Sequence, residues 1–152
     1  MYQRLVTLLS SAVAALLFVT LAPVPPAVAG PATYAKAAFK ATNQERVERD
    51  RKRLRANACL KDFAVSQAKT MARLQVVSHQ ALTPILLACN LERVGENVAA
   101  GYPTGRAVVR KGWMKSEPHR KNILDRRFRL MAIAARKGDD DRWYVAQVFG
   151  RR

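Results

Sequence analysis

The chain has no internal repeat, no low-complexity tract beyond its N-terminal segment, and no alternation of strand and helix patterns over its 152 residues. A repeat array is therefore excluded and a parallel sheet is not indicated. Histidine and cysteine are scarce, with two of each: His79, His119, Cys59 and Cys89. Neither cysteine has a histidine or a basic cluster beside it, so a catalytic thiol is not indicated. Acidic residues are outnumbered, 11 against 27 Lys and Arg, for a formal net charge of +16. Charge of that sign attracts envelope phospholipid, acidic wall polymers or nucleic acid, but says nothing about fold.

What is present begins with one long uncharged run, residues 5–22, LVTLLSSAVAALLFVTLA, which follows Arg4 and leads into PVPPAVAG. Ala27 and Ala29 form an Ala-x-Ala pattern, so residues 1–29 are expected to be a secretory signal peptide cut after Ala29. The alternative is an uncleaved anchor, since the run sits at the lower limit for a bilayer span. A secreted, extracellular location follows from the first reading. The segment holds one basic residue and no acid, so its removal leaves +15. An oxidising destination makes a Cys59–Cys89 disulfide the default pairing, with two buried free thiols as the alternative.

Residues 30–37 read as a linker and 38–152 as one domain of a size that supports one core. Helix formers open it. Within them RVERDRKRLR, 46–55, carries six basic and two acidic residues and no aromatic; a solvated helix face is expected there rather than a nucleic-acid patch. Leu60, Ala64, Ala68, Met71, Ala72 and Gln75 then fall at helical spacing behind Asn57 as N-cap, predicting a helix that ends near Val77. A short helix is expected from the Thr83–Pro84 pair. RVGENVAAG reads as a short strand or an extended loop. Thr104 caps a helix running through Trp113 to Ser116, with His119 at its end. LMAIAAR and RWYVAQVFG, joined by KGDDD, read as a hairpin. Together these give an α+β layered domain.

His79 and His119 each fall in a polar patch at a predicted helix end, and Glu96 lies between glycine-flanked turns and an apolar run, a costly place for an unpaired carboxylate. Two imidazoles and a carboxylate suit Zn²⁺ with an open position, or acid–base work near neutral pH. Their separations of 17 and 23 residues match no local ligand signature.

Six blocks in order, NQER at 43–46, Leu60 with Ala64 and Ala68, Ser78-His79, GENVAAG at 95–101, WMKSEPHRKNIL at 113–124 and YVAQVFG at 144–150, resemble the bacterial branch of the CAP superfamily. This is the SCP-like extracellular domain of pathogenesis-related and cysteine-rich secretory proteins. The resemblance covers about residues 38–150. It implies a three-layer α-β-α sandwich with a central antiparallel sheet, and a cleft that gathers two histidines and two acids. By motif these are His79, Glu96 and His119, with Gln147 hydrogen-bonding nearby. The position of the second acid, three residues after Trp113, is Ser116; Glu117 stands about 100° round a helix from it.

The binding set implied is His79, Glu96, Ser116, His119 and Gln147. A divalent metal such as Zn²⁺ falls to His79, Glu96 and His119, with one acid fewer than the family pattern. Asn97 and Asn122 read as turn and capping groups, and Trp113 and Trp143 as core. The expected function is a secreted binding module at the cell envelope, monomeric, with an anionic surface, lipid or wall glycan as partner and no specific nucleic acid. The alternatives are a metal-assisted hydrolase built on His79, His119 and Glu96, and charge-driven binding of anionic polymers.

Overall fold

The structure, a computed structural model, describes residues 30–152; the expected signal peptide lies outside them. Helix α1 spans Pro31–Val47, and Pro31 opens it where a missing N–H costs nothing. The segment expected as a linker is thus its first two turns. Tyr34 is the reason: it is buried, packs against Trp143 with ring centroids 4.9 Å apart, and donates its hydroxyl to the Tyr102 carbonyl.

The basic stretch 46–55 is not a helix face. Helix α1 stops at Val47, and the chain turns, with Asp50 in the left-handed region, into a two-residue strand β1, Arg55–Ala56. Arg46 is fully buried. Its guanidinium donates to the carbonyls of Lys52, Ile123 and Asp125, a cradle that local pattern could not announce.

Helix α2, Ala58–Leu74, is capped by the Asn57 side chain, which accepts from the Leu60 N–H, and ends at Gln75 in the left-handed conformation. Gln75 is therefore an exposed cap and not part of the buried stripe. Cys59 and Cys89 are disulfide-bonded, tying α2 to the end of α3, Thr83–Ala88, whose N-cap is Leu82. RVGENVAA is a strand, β2, Arg93–Ala100.

A helical run follows, starting as α4, Gly105–Ala107, then a π turn over Val108–Gly112 and a 3₁₀ turn over Trp113–Lys115. Thr104 caps it, accepting from the Ala107 N–H. Gly105 sits so close to α1 that a Cβ would collide with the Tyr34 carbonyl oxygen. Ser116 is extended, and a separate helix α5, Glu117–Leu124, begins after it. Strands β3, Leu130–Lys137, and β4, Trp143–Arg151, form the expected hairpin.

The sheet order is β1-β3-β4-β2. The β3–β4 and β4–β2 pairs are antiparallel, and only the short β1 joins parallel. Strand alternation divides the core. Met131, Ile133, Val145 and Phe149 face α1, Trp113 and Ile123, whereas Ala132, Ala134, Ala146 and Val148 face Leu60, Ala64, Ala68 and Ile85. Both faces of the sheet are covered, giving the three-layer α-β-α sandwich.

Candidate functional site

Consecutive residues on a strand point to opposite faces, and at Glu96–Asn97 this splits one site into two halves. Glu96 turns toward the α2–α3 loop. Its carboxylate is buried and accepts from His79 Nδ1 at 2.7 Å, from the Gln80 N–H at 3.3 Å and from Gln80 Nε2 at 2.6 Å. The loop is held from below by Gln67 of α2, whose Nε2 donates to the Ser78 carbonyl. The His79 side chain is 59% exposed while that of Glu96 is 1% exposed. The imidazole is therefore the part of this pair that a ligand meets.

Asn97 turns the other way, to α5. Its Nδ2 donates to the His119 carbonyl at 3.1 Å and to Gln147 Oε1 at 3.0 Å; Asn122 Nδ2 donates to Asn97 Oδ1 and to the Glu96 carbonyl, each at 3.0 Å. Gln147 completes the chain by donating to Thr42 Oγ1 at 2.9 Å. Asn97 and Gln147 are wholly buried. This buried amide network fixes the first turn of α5 to β2 and β4, where each lost bond would leave polar groups unsatisfied. Asn97 and Asn122 are thus not turn and capping groups. The signal available in the sequence was their place inside two of the resembling blocks.

His119 lies in the first turn of α5, not at the end of the preceding helix, because the chain becomes extended at Ser116. In a first turn a protonated histidine gains nothing from the helix dipole. Ser116 occupies the N-cap but makes no capping bond with its side chain. Its Oγ instead lies 2.9 Å from His119 Nδ1. Burial holds the His119 imidazole below the ordinary histidine range, and neighbouring His79 adds to that. Glu117 faces solvent, paired with Lys121 at 2.7 Å, so it does not supply the second acid.

Among the described residues strand β2 pairs with no strand but β4, so it is an edge strand. The candidate residues therefore lie on two sides of this strand, His79 bonded to Glu96 at the α2–α3 loop and Ser116 beside His119 at the start of α5. The metal set expected from the sequence, His79, Glu96 and His119, is not gathered as one site. Among the described residues no three His, Cys, Asp or Glu side chains are grouped to hold a metal ion. Both Glu96 oxygens already accept from the loop. Trp113 and Trp143 are core, as expected, at 1% and 8% exposure.

Residues 39–149 match the profile of CAP, the cysteine-rich secretory protein family. The chain is similar to the protein YkwD of Bacillus subtilis (strain 168), described as uncharacterized, with 33% identity over 107 residues, 66% of this chain and 41% of that protein. It spans well under half the length of that relative. An extracellular SCP-domain protein from Bacillus anthracis str. Ames superposes with a TM-score of 0.68 at 27% identity, covering 87% of this chain and 45% of that one. An outer surface protein of Borrelia burgdorferi superposes with a TM-score of 0.69 over 77% of this chain and 91% of its own, at 17% identity, which bears on fold alone. Among the described residues no helix is long and apolar enough to cross a membrane.

Proposed function

The chain belongs to the CAP, or cysteine-rich secretory protein, family, and from that premise we propose that it is a secreted bacterial binding module that uses its β2-edge cleft at the cell envelope. One observation carries the reading. Glu96, the buried acid of the cleft, spends both oxygens on holding the His79 loop, so it acts as a positioning group rather than as a free base or ligand. What reaches solvent is two imidazoles and a hydroxyl. Such a set donates and accepts hydrogen bonds without a fixed charge, and suits a hydroxylated ligand such as a wall glycan.

The surplus of basic residues supplies attraction to acidic wall polymers and anionic lipid. Extracellular placement agrees with the family and with the extracellular SCP-domain relative. The hydrolase alternative has less support. Ser116 and His119 form a pair, but among the described residues no carboxylate bonds to His119 to orient it as a base. Among the described residues no three His, Cys, Asp or Glu side chains are grouped for a metal. The second alternative, charge-driven binding of anionic polymers, rests on the basic surplus alone.

The test is retention of the purified protein on insoluble wall material across a salt series, beside a His79→Ala/His119→Ala double variant. Charge attraction fades with salt. We expect a salt-resistant fraction that the double variant lacks. Retention identical in both proteins at every salt concentration would remove the cleft from the function.

A further inference from the structure

The other edge of the sheet carries a separate feature. Strand β1 pairs with β3 only at Leu130 and Met131, and then Asn57 caps α2 and turns the chain away. Among the described residues, Ala132 to Lys137 of β3 have β4 on one side and no strand on the other. Alternate N–H and C=O groups along that stretch lack a ladder partner.

A cavity of about 490 Å³ opens directly past the end of β1. Ala56, Ala132 and Ile133 form its sheet side, and Ala35 and Phe39 of α1 form its wall. Four cations surround these apolar groups: Lys36 and Lys40, one turn apart on α1, Arg53 before β1, and Lys61 on α2. All four are exposed, and none is in an ion pair among the described residues. No acidic residue lines the cavity.

We propose that this edge docks an extended, acidic peptide segment of a partner protein, which adds as a strand beside β3 and seats an apolar side chain in the cavity. Strand addition draws affinity from main-chain hydrogen bonds and selectivity from pockets for alternate side chains. Both parts are present here, an edge that no described strand pairs beside an apolar pocket. The cations around the cavity select carboxylates on the residues that flank the seated side chain. An acyl chain would fill the same apolar floor but would leave the β3 edge groups without partners. The peptide satisfies both.

The probes are three acetylated, amidated hexapeptides alternating glutamate with valine, leucine or phenylalanine, each paired with a form N-methylated on alternate residues. The N-methyl form keeps charge and apolarity but cannot complete the ladder. Binding is read by calorimetry on the purified protein, and its location by amide shifts along Ala132–Lys137. At least one parent peptide is expected to bind, with its N-methyl form weaker by about tenfold or more. Lys36→Glu/Lys40→Glu, both on the surface and checked for fold by circular dichroism, should weaken the parent by a similar factor. Equal binding of parent and N-methyl forms would overturn strand addition. So would failure of all three peptides, whether or not dodecanoate occupies the cavity in their place.

Discussion

Ser116 Oγ stands 2.9 Å from His119 Nδ1, so the position where the resemblance expects a second acid still engages the histidine, but with a neutral hydroxyl. Among the described residues no counter-charge offsets the burial of His119. Its imidazole is held below the ordinary histidine range by burial first and by His79 second.

A pH dependence follows. Folded His119 binds a proton more weakly than unfolded His119, so the unfolded chain takes up more protons as pH falls. Stability linked to this residue is complete above the unfolded histidine pKa, about 6.5, and is lost as pH falls toward the lower folded value. Urea midpoints measured from neutral to mildly acid pH should decline over that window, and His119→Gln should flatten the decline. An unchanged slope in the variant would assign the effect to other groups.

Replacing the serine by the acid tests the same contact from the other side. Ser116→Glu places a carboxylate near Nδ1 and should raise the His119 pKa, read by NMR titration of the ring protons. No rise would mean that the new side chain points to solvent, as Glu117 does beside it.

Glu96→Gln keeps the shape of the carboxylate but puts a donor where His79 and Gln80 now donate. The expected loss is about 1–3 kcal/mol in denaturant unfolding, with faster hydrogen exchange at the Gln80 amide. Exchange unchanged at Gln80 would show that the loop is held without Glu96.

Arg46 binds three carbonyls, and two of them, at Ile123 and Asp125, belong to the C-terminal end of the helix that carries His119. A cation at that end also suits the helix dipole. Burial, with Arg129 nearby, pulls its pKa down to about 10, which leaves it charged at neutral pH. Arg46→Ala should cost about 3 kcal/mol or more, from orphaned carbonyls and a cavity together, and should move the His119 ring resonances. A loss without any change at His119 would separate the core from the site.

The disulfide closes a sequence separation of 30 residues. Cys59→Ala/Cys89→Ala should destabilise the domain by about 3–4 kcal/mol in the chain-entropy account, seen as a lower thermal midpoint. The same midpoint shift should appear when the unaltered protein is reduced.

Much of the fold was legible because its signals are local. The Asn57 cap, the spacing of Leu60, Ala64, Ala68 and Met71, and the turn between β3 and β4 each depend on residues close in sequence. The candidate site was legible in its members, His79, Glu96, His119 and Gln147, through the order of short blocks and not through spacing.

Local pattern misled where distant contacts decide. The basic stretch after Arg46 has helix-forming composition, yet Arg46 turns inward because its acceptors lie near residue 124, far along the chain. The presumed linker is helix because Tyr34 finds Trp143 and Tyr102. Residue identities alone pointed to the layered class and to a Cys59–Cys89 bond as the default, and the order of short blocks named the candidate site residues; the structure shows the bond. Tertiary structure alone decided that Glu96 is spent on a loop, that Ser116 breaks the helix to meet His119, and that Asn97 and Gln147 form the buried support between them. Those outcomes depend on which face of β2 meets which layer, and strand parity becomes informative only after the sheet has assembled.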